Sequence, residues 1–96
     1  MEIIIGDLAL IDIRDVFQYG IETFGLRKTE EYLARMHMKI EELSKWPDKG
    51  HYHPLINKDL RVYNVGKHLI IYKHFEEKSQ IIILRIVHQK VNLNVI

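Results

Sequence analysis

Residues 60–88 read LRVYNVGKHLIIYKHFEEKSQIIILRIVH. Three runs within them, Leu60–Val65, His68–Phe75 and Gln80–Val87, are rich in β-branched and aromatic side chains with a period of two. Only Gly66-Lys67 and Glu76–Ser79 separate the runs, and links that short force neighbouring strands to pair antiparallel. The stretch therefore predicts a three-stranded meander, although its hairpin registers stay open. In the last run both alternating sets are largely apolar, Ile82, Leu84 and Ile86 against Ile81, Ile83 and Val87, and Arg85 interrupts the second. A strand apolar on both faces is expected inside a sheet that is covered on both sides.

Upstream, residues 48–59 show no period and contain Gly, Pro, Asn and Asp, the residues of a surface connection. Before them the period changes to that of helices. Leu33, Met36, Ile40 and Leu43 fall at steps of 3, 4 and 3, which predicts a helix from about Arg27 to Lys45 that Pro47 stops. Leu10, Ile13, Phe17, Ile21 and Phe24 fall at steps of 3, 4, 4 and 3, an earlier amphipathic helix with Asp7 as its expected N-cap and Gly25 as its end. Two helices joined by so little chain must run roughly antiparallel, as a helical hairpin with one apolar seam. Ile3–Ile5 read as a short first strand. The order β-α-α-β-β-β predicts one α+β domain over residues 1–96, with the helical hairpin packed on the antiparallel meander. Phe17, Phe24 and Tyr32 are expected in the core, Trp46 at its edge, and Tyr63 and Tyr72 half-buried on strands.

Composition narrows the function. At 47% hydrophobic and 28% charged, with five Gly and two Pro, the chain is neither disordered nor collagen-like. The absence of Cys excludes disulfides, thiol nucleophiles and Cys-based metal sites, and suits a reducing compartment. The opening residues lack the basic flank and long apolar run of a signal peptide. No apolar stretch approaches the roughly 20 residues that span a bilayer. The expectation is a soluble cytoplasmic protein.

The net charge of +1 argues against a general polycation, but it is unevenly spread. Residues 1–46 carry 6 basic and 9 acidic side chains, residues 47–96 carry 8 and 4, and five of the six His lie in the second half. An anionic partner would be drawn to that half.

No Gly-rich phosphate loop, Gly-x-Ser-x-Gly or His-Glu-x-x-His is present. His51-x-His53, with His68 and His74 downstream, could offer imidazoles to a metal, but no Cys or spaced carboxylate completes a set, so neither metal nor cofactor is expected. Arg61, Lys73, Arg85, His88 and Lys90 lie in or just after the predicted strands. Guanidinium groups bind phosphate by paired hydrogen bonds, and a nearby His or Tyr can move a proton from a ribose hydroxyl, a set suited to RNA cleavage. Equally, Arg61 and Arg85 could pair with carboxylates of the acidic helical half.

Several pieces in order resemble the ParE branch of the ParE/RelE superfamily of bacterial toxins. Asp12-Ile13, Tyr19 and Phe24-Gly25 resemble its first-helix pattern, and Leu43 with Pro47-x-x-Gly50 the end of its second helix. Leu60-Arg61, His68-x-Ile70-x-Tyr72 and Ile83-Leu84-Arg85-Ile86-Val87-His88 resemble its sheet signatures. The resemblance spans about residues 7–90. It implies a bacterial cytoplasmic toxin of a type II toxin–antitoxin system, of the kind that serves plasmid stabilization. A cognate ParD-like antitoxin would neutralise it by wrapping an extended and helical segment around it in a hetero-oligomer.

It further implies that the toxin inhibits DNA gyrase by binding, without catalytic residues, and makes Arg61, Tyr72, Arg85, His88 and Lys90 the candidates for target binding or toxicity. Gln89-Lys90-Val91-Asn92 departs from the family, which often carries an acidic residue shortly after that His. The alternative is a RelE-like, ribosome-dependent mRNA endoribonuclease with Arg61 and Arg85 holding phosphate and His88 as acid or base.

Overall fold

The computed structural model describes residues 1–95. The elements follow the expected order: β1 (Glu2–Ile5), α1 (Asp7–Phe24), α2 (Leu26–Lys45), β2 (Arg61–Val65), β3 (His68–Phe75) and β4 (Gln80–His88). Short 3₁₀ turns cover Glu76–Lys78 and Leu93–Val95. The sheet order is β1-β4-β3-β2. The meander is antiparallel as the short links require, while β1 joins β4 in parallel and makes the sheet mixed. β4 is thus interior, consistent with its two apolar faces.

The helices are punctuated by glycine. Gly6, not Asp7, is the N-cap of α1, and Asp7 occupies the first turn, where a carboxylate faces the positive end of the helix dipole. Gly25 is the whole link between α1 and α2. Its φ of +88° lies where side chains are strained, its amide closes α1 on the Ile21 carbonyl, and its carbonyl accepts both the amide and the hydroxyl of Thr29.

On the helix side of the sheet Ala9, Met36, Ile40 and Leu43 pack against Val65, Ile70, Tyr72, Ile81, Ile83 and Ile86. On the other side Val62, Leu69, Ile71 and Val87 meet Leu93, with Ile56 and Leu60 alongside. Burying one such side chain contributes about 1.5–3 kcal/mol, so this second cluster fastens the residue 48–59 connection and the C-terminal turn to the sheet. A bridge between His51 and Val62 adds to the fastening, so that connection is less irregular than its composition suggests.

The seam of α1 departs from expectation. The helix approaches the core through Ala9, Asp12, Ile13, Val16 and the buried Gly20, and places Leu10, Phe17, Ile21 and Phe24 on its flank. Phe17 is 38% and Phe24 58% exposed, so neither is core. The reason is steric. A Cβ on Gly20 would lie 2.6 Å from the Thr29 hydroxyl oxygen, so the smallest side of α1 meets α2 and the bulky stripe is rotated aside. Trp46, also 58% exposed, does not cover the core edge but lines a groove. Tyr32 and Tyr63 pack partly buried against the core, and Tyr72 is wholly buried.

Candidate functional site

The residues singled out in the sequence occupy three separate places. Arg61 and Tyr72, opposite each other on β2 and β3, hold the loop after α2. The Tyr72 hydroxyl donates to the Pro47 carbonyl (2.7 Å) and accepts from the Gly50 amide (2.9 Å), while Arg61 Nη1 donates to the Gly50 carbonyl (2.9 Å). A Cβ on Gly50 would lie 2.6 Å from the Tyr72 hydroxyl, so Pro47-x-x-Gly50 is the shape that closes the loop over this tyrosine. Burial raises the Tyr72 pKa, which keeps the phenol neutral. Arg61 also pairs with Asp48 (3.5 Å) and stacks over Tyr52.

Arg85 is the second place. It pairs with Asp12 of α1, and the hydrogen bonds that it donates to that carboxylate raise its pKa. Opposite Ile71 and Tyr72 stand Arg85 and Ile83, so Leu84 is an extra residue in β4, a bulge that re-aims the side chains beside it.

His88 and Lys90 form the third place, at the far end of β4. Arg61 is opposite Tyr72 and His88 opposite His68, four residues apart along β3 or about 13 Å at strand rise. Arg61, Arg85 and His88 therefore do not converge on one phosphate, the arrangement that the ribonuclease alternative needs. Both arginines are instead engaged by carboxylates, Asp48 in the connection and Asp12 in the acidic half.

Two clusters escaped the sequence reading. At the end of α2, Glu42 accepts from the Tyr63 hydroxyl and from Lys49 Nζ (3.2 Å), and these bonds lower its pKa. Near the loop, Asp48, His74 and Glu76 bring ligand-type atoms within 4.8 Å of one another, with the Arg61 guanidinium beside the same Asp48 carboxylate. Neither His51 nor His53 belongs to that group. The elements that unite these residues are far apart in sequence, which is why spacing did not signal them.

An apolar feature is also left uncovered. A groove of about 750 Å³ runs between β1 and α2, lined by Ile3, Ile5, Ile13, Leu33, Met36 and Trp46 among others. On the flank of α1, Leu10, Phe17, Ile21 and Phe24 are exposed as well. β1 is an edge strand. Its Glu2 and Gly6 amides bond towards β4, so the main-chain groups of Ile3 and Ile5 face away from the sheet. Apolar walls beside an open strand edge suit an extended or helical peptide.

The family model for the ParE toxin of the type II toxin-antitoxin system parDE matches residues 3–93. The chain belongs to the ParE toxin family. Among solved structures, this ParE-family chain is similar to one described as the chromosomal ParDE TA system from P. aeruginosa, at 16% identity and a TM-score of 0.79, over 92% of this chain and 95% of that one. At that identity the likeness concerns the fold, two helices on a four-stranded mixed sheet. No curated protein matches the ParE-family chain. None of its helices among the described residues is long and apolar enough to cross a membrane.

Proposed function

We propose that this ParE-family toxin acts by binding DNA gyrase in the cytoplasm, and that a ParD-like antitoxin neutralises it by covering the apolar groove and the α1 flank. The observation that carries the reading is the uncovered apolar surface beside the open edge of β1. Exposed apolar surface costs solubility, and a groove lined by it suits a partner site in a small protein. An amphipathic segment could fill the groove with its apolar face and add main-chain bonds to Ile3 and Ile5.

A binding toxin also suits the placement of Arg61, Tyr72 and Arg85, which are engaged in the fold, and leaves His88 and Lys90 as the exposed members of the candidate set.

The test is to express the chain without its antitoxin and ask what stops first. Replication arrest with trapped gyrase–DNA complexes is expected. Truncated messenger RNA with normal gyrase function would overturn the reading. For the antitoxin, hydrogen exchange of the complex should show protection at the Ile3 and Ile5 amides, and unchanged exchange along β1 would exclude strand addition there.

A further inference from the structure

The two edges of the sheet are finished differently. Outside β2, His51 and Val62 exchange main-chain hydrogen bonds of 2.9 and 2.8 Å, so the connection before β2 sits on that edge. Outside β1, no strand or bridge is paired among the described residues. Edge strands are ordinarily kept from joining other chains by a charge, a proline or a bulge within them. β1 has none of these between Ile3 and Ile5, and its register with β4 is unbroken. Its one charged residue, Glu2, is turned towards β4, where it accepts a hydrogen bond from the Gln80 side-chain amide (2.7 Å).

The first helix does not obstruct this edge. The chain is drawn inward at Gly6, where a Cβ would lie 2.9 Å from the Ile83 carbonyl oxygen, and α1 then runs over β4, reaching the Ile86 amide through Asp12. On the helix side of β1, Ile3 and Ile5 line the open apolar groove. Ile4, between them, points to the opposite face of the sheet and is half-buried.

The phase of the main-chain groups makes β1 complementary to itself. Opposite residues of an antiparallel pair alternate between those that exchange both hydrogen bonds and those that exchange none. Consider a second β1 related by a two-fold axis through Ile4. Ile3 then lies opposite Ile5 of the other copy, both with outward N–H and C=O groups, while Ile4 lies opposite its own counterpart, both with those groups turned towards β4. Each Ile3–Ile5 pair exchanges both of its hydrogen bonds. The two Ile4 side chains meet at a non-hydrogen-bonded position, the closer kind of pair, with Cα atoms about 4.5 Å apart. Glu2 stands opposite Gly6, so no like charges face each other. Other registers fail. A slip of one residue sets outward groups against inward ones, an axis through Ile5 brings Asp7 of α1 opposite Ile3, and an axis through Ile3 brings Met1, outside the strand, opposite Ile5.

We propose that the chain, alone in solution, pairs with a second copy of itself through β1, antiparallel about a two-fold axis at Ile4, so that two four-stranded sheets join into one. The axis lies perpendicular to the joined sheet, which places both apolar grooves on the same face. A two-fold contact uses both β1 edges at once, so association stops at the dimer. The inference uses the edge that the antitoxin reading also uses but does not rest on that reading. One occupant of the edge excludes the other, and self-association is measured with neither antitoxin nor gyrase present.

Sedimentation equilibrium of the full chain over a wide range of concentration should show a reversible monomer–dimer equilibrium with no larger species. Hydrogen exchange at the Ile3 and Ile5 amides should slow as concentration rises, while exchange at Asn64 on the opposite edge strand stays constant. Ile4→Lys sets two ammonium groups against each other at the axis, and Ile4→Glu two carboxylates; each should weaken the dimer roughly tenfold or more. An equimolar mixture of the two variants should associate again, because each lysine then meets a glutamate across the axis. That rescue is specific to a second copy in this register, and amide spectra matching the parent outside β1 show that both variants fold. A parent chain that is monomeric throughout, or Ile3 and Ile5 exchange that ignores concentration, would overturn the proposal. So would a dimer that neither substitution weakens, or folded variants whose mixture associates no better than each does alone.

Discussion

Asp12 on α1 accepts hydrogen bonds from Arg85 Nε (2.8 Å) and Nη2 (3.1 Å) and also from the Ile86 amide (2.8 Å). β1 pairs with β4 only as far as Ile83, so beyond that point the carboxylate stands in for a missing strand. Asp12→Ala removes both roles and leaves a partly buried guanidinium and an amide unpaired. It should cost about 2 kcal/mol, less than a fully buried pair because Arg85 keeps some contact with water. Arg85→Gln should cost about half as much, since Asp12 still caps Ile86. Urea denaturation of both single variants and the double variant measures the coupling. A double variant whose loss is the simple sum would show that the two residues act independently.

The buried Gly20 sets how closely the two helices approach. Gly20→Ala should destabilise the protein by about 1–2 kcal/mol, because overpacking against Thr29 outweighs the better helix propensity of alanine. Adding Thr29→Ala removes the atoms that the new methyl meets. The double variant should then be more stable than Gly20→Ala alone, as thermal unfolding would reveal.

Tyr72→Phe deletes the hydroxyl that joins the Pro47 carbonyl to the Gly50 amide. Leaving those groups unsatisfied should cost about 1–3 kcal/mol and loosen the loop before β2. Faster amide exchange at Gly50 is the local readout, and protection equal to that of the parent chain would contradict it.

His68 makes stability depend on pH. Its folded pKa lies below the ordinary imidazole value because of burial, then because of His88. The unfolded chain therefore takes up a proton at a pH of about 6.5 that the folded chain still refuses, and proton uptake by the unfolded state favours unfolding. Stability should fall as pH drops below about 6.5 and level off beneath the folded pKa. The urea midpoint measured from pH 7.5 downward in a phosphate-free buffer checks this, and His68→Gln should flatten that segment of the profile.

Leu10 and Phe24 stand at the two ends of the exposed α1 stripe. Leu10→Glu with Phe24→Glu should leave stability within about 0.5 kcal/mol, because neither side chain is in the core. The same pair should weaken capture by the cognate antitoxin roughly a hundredfold. Calorimetric titration decides it, and unchanged affinity would remove α1 from the proposed interface.

The order and approximate ends of every helix and strand, the meander and the interior position of β4 were legible in the sequence, because periods of 2 and 3.6 record which side of a local element meets the core. Pro47-x-x-Gly50 was legible as a pattern, although its partner Tyr72 was not. Only the tertiary structure decided that β1 pairs in parallel, that a bulge at Leu84 shifts the register, that α1 turns its small side inward, and that Asp12 meets Arg85 while Tyr32 meets His68 beside His88. Each of these depends on how close two distant elements can come. That distance is set by volumes such as the missing side chain of Gly20 against Thr29 and of Gly66 against Tyr32, and no local repeat along the chain encodes it.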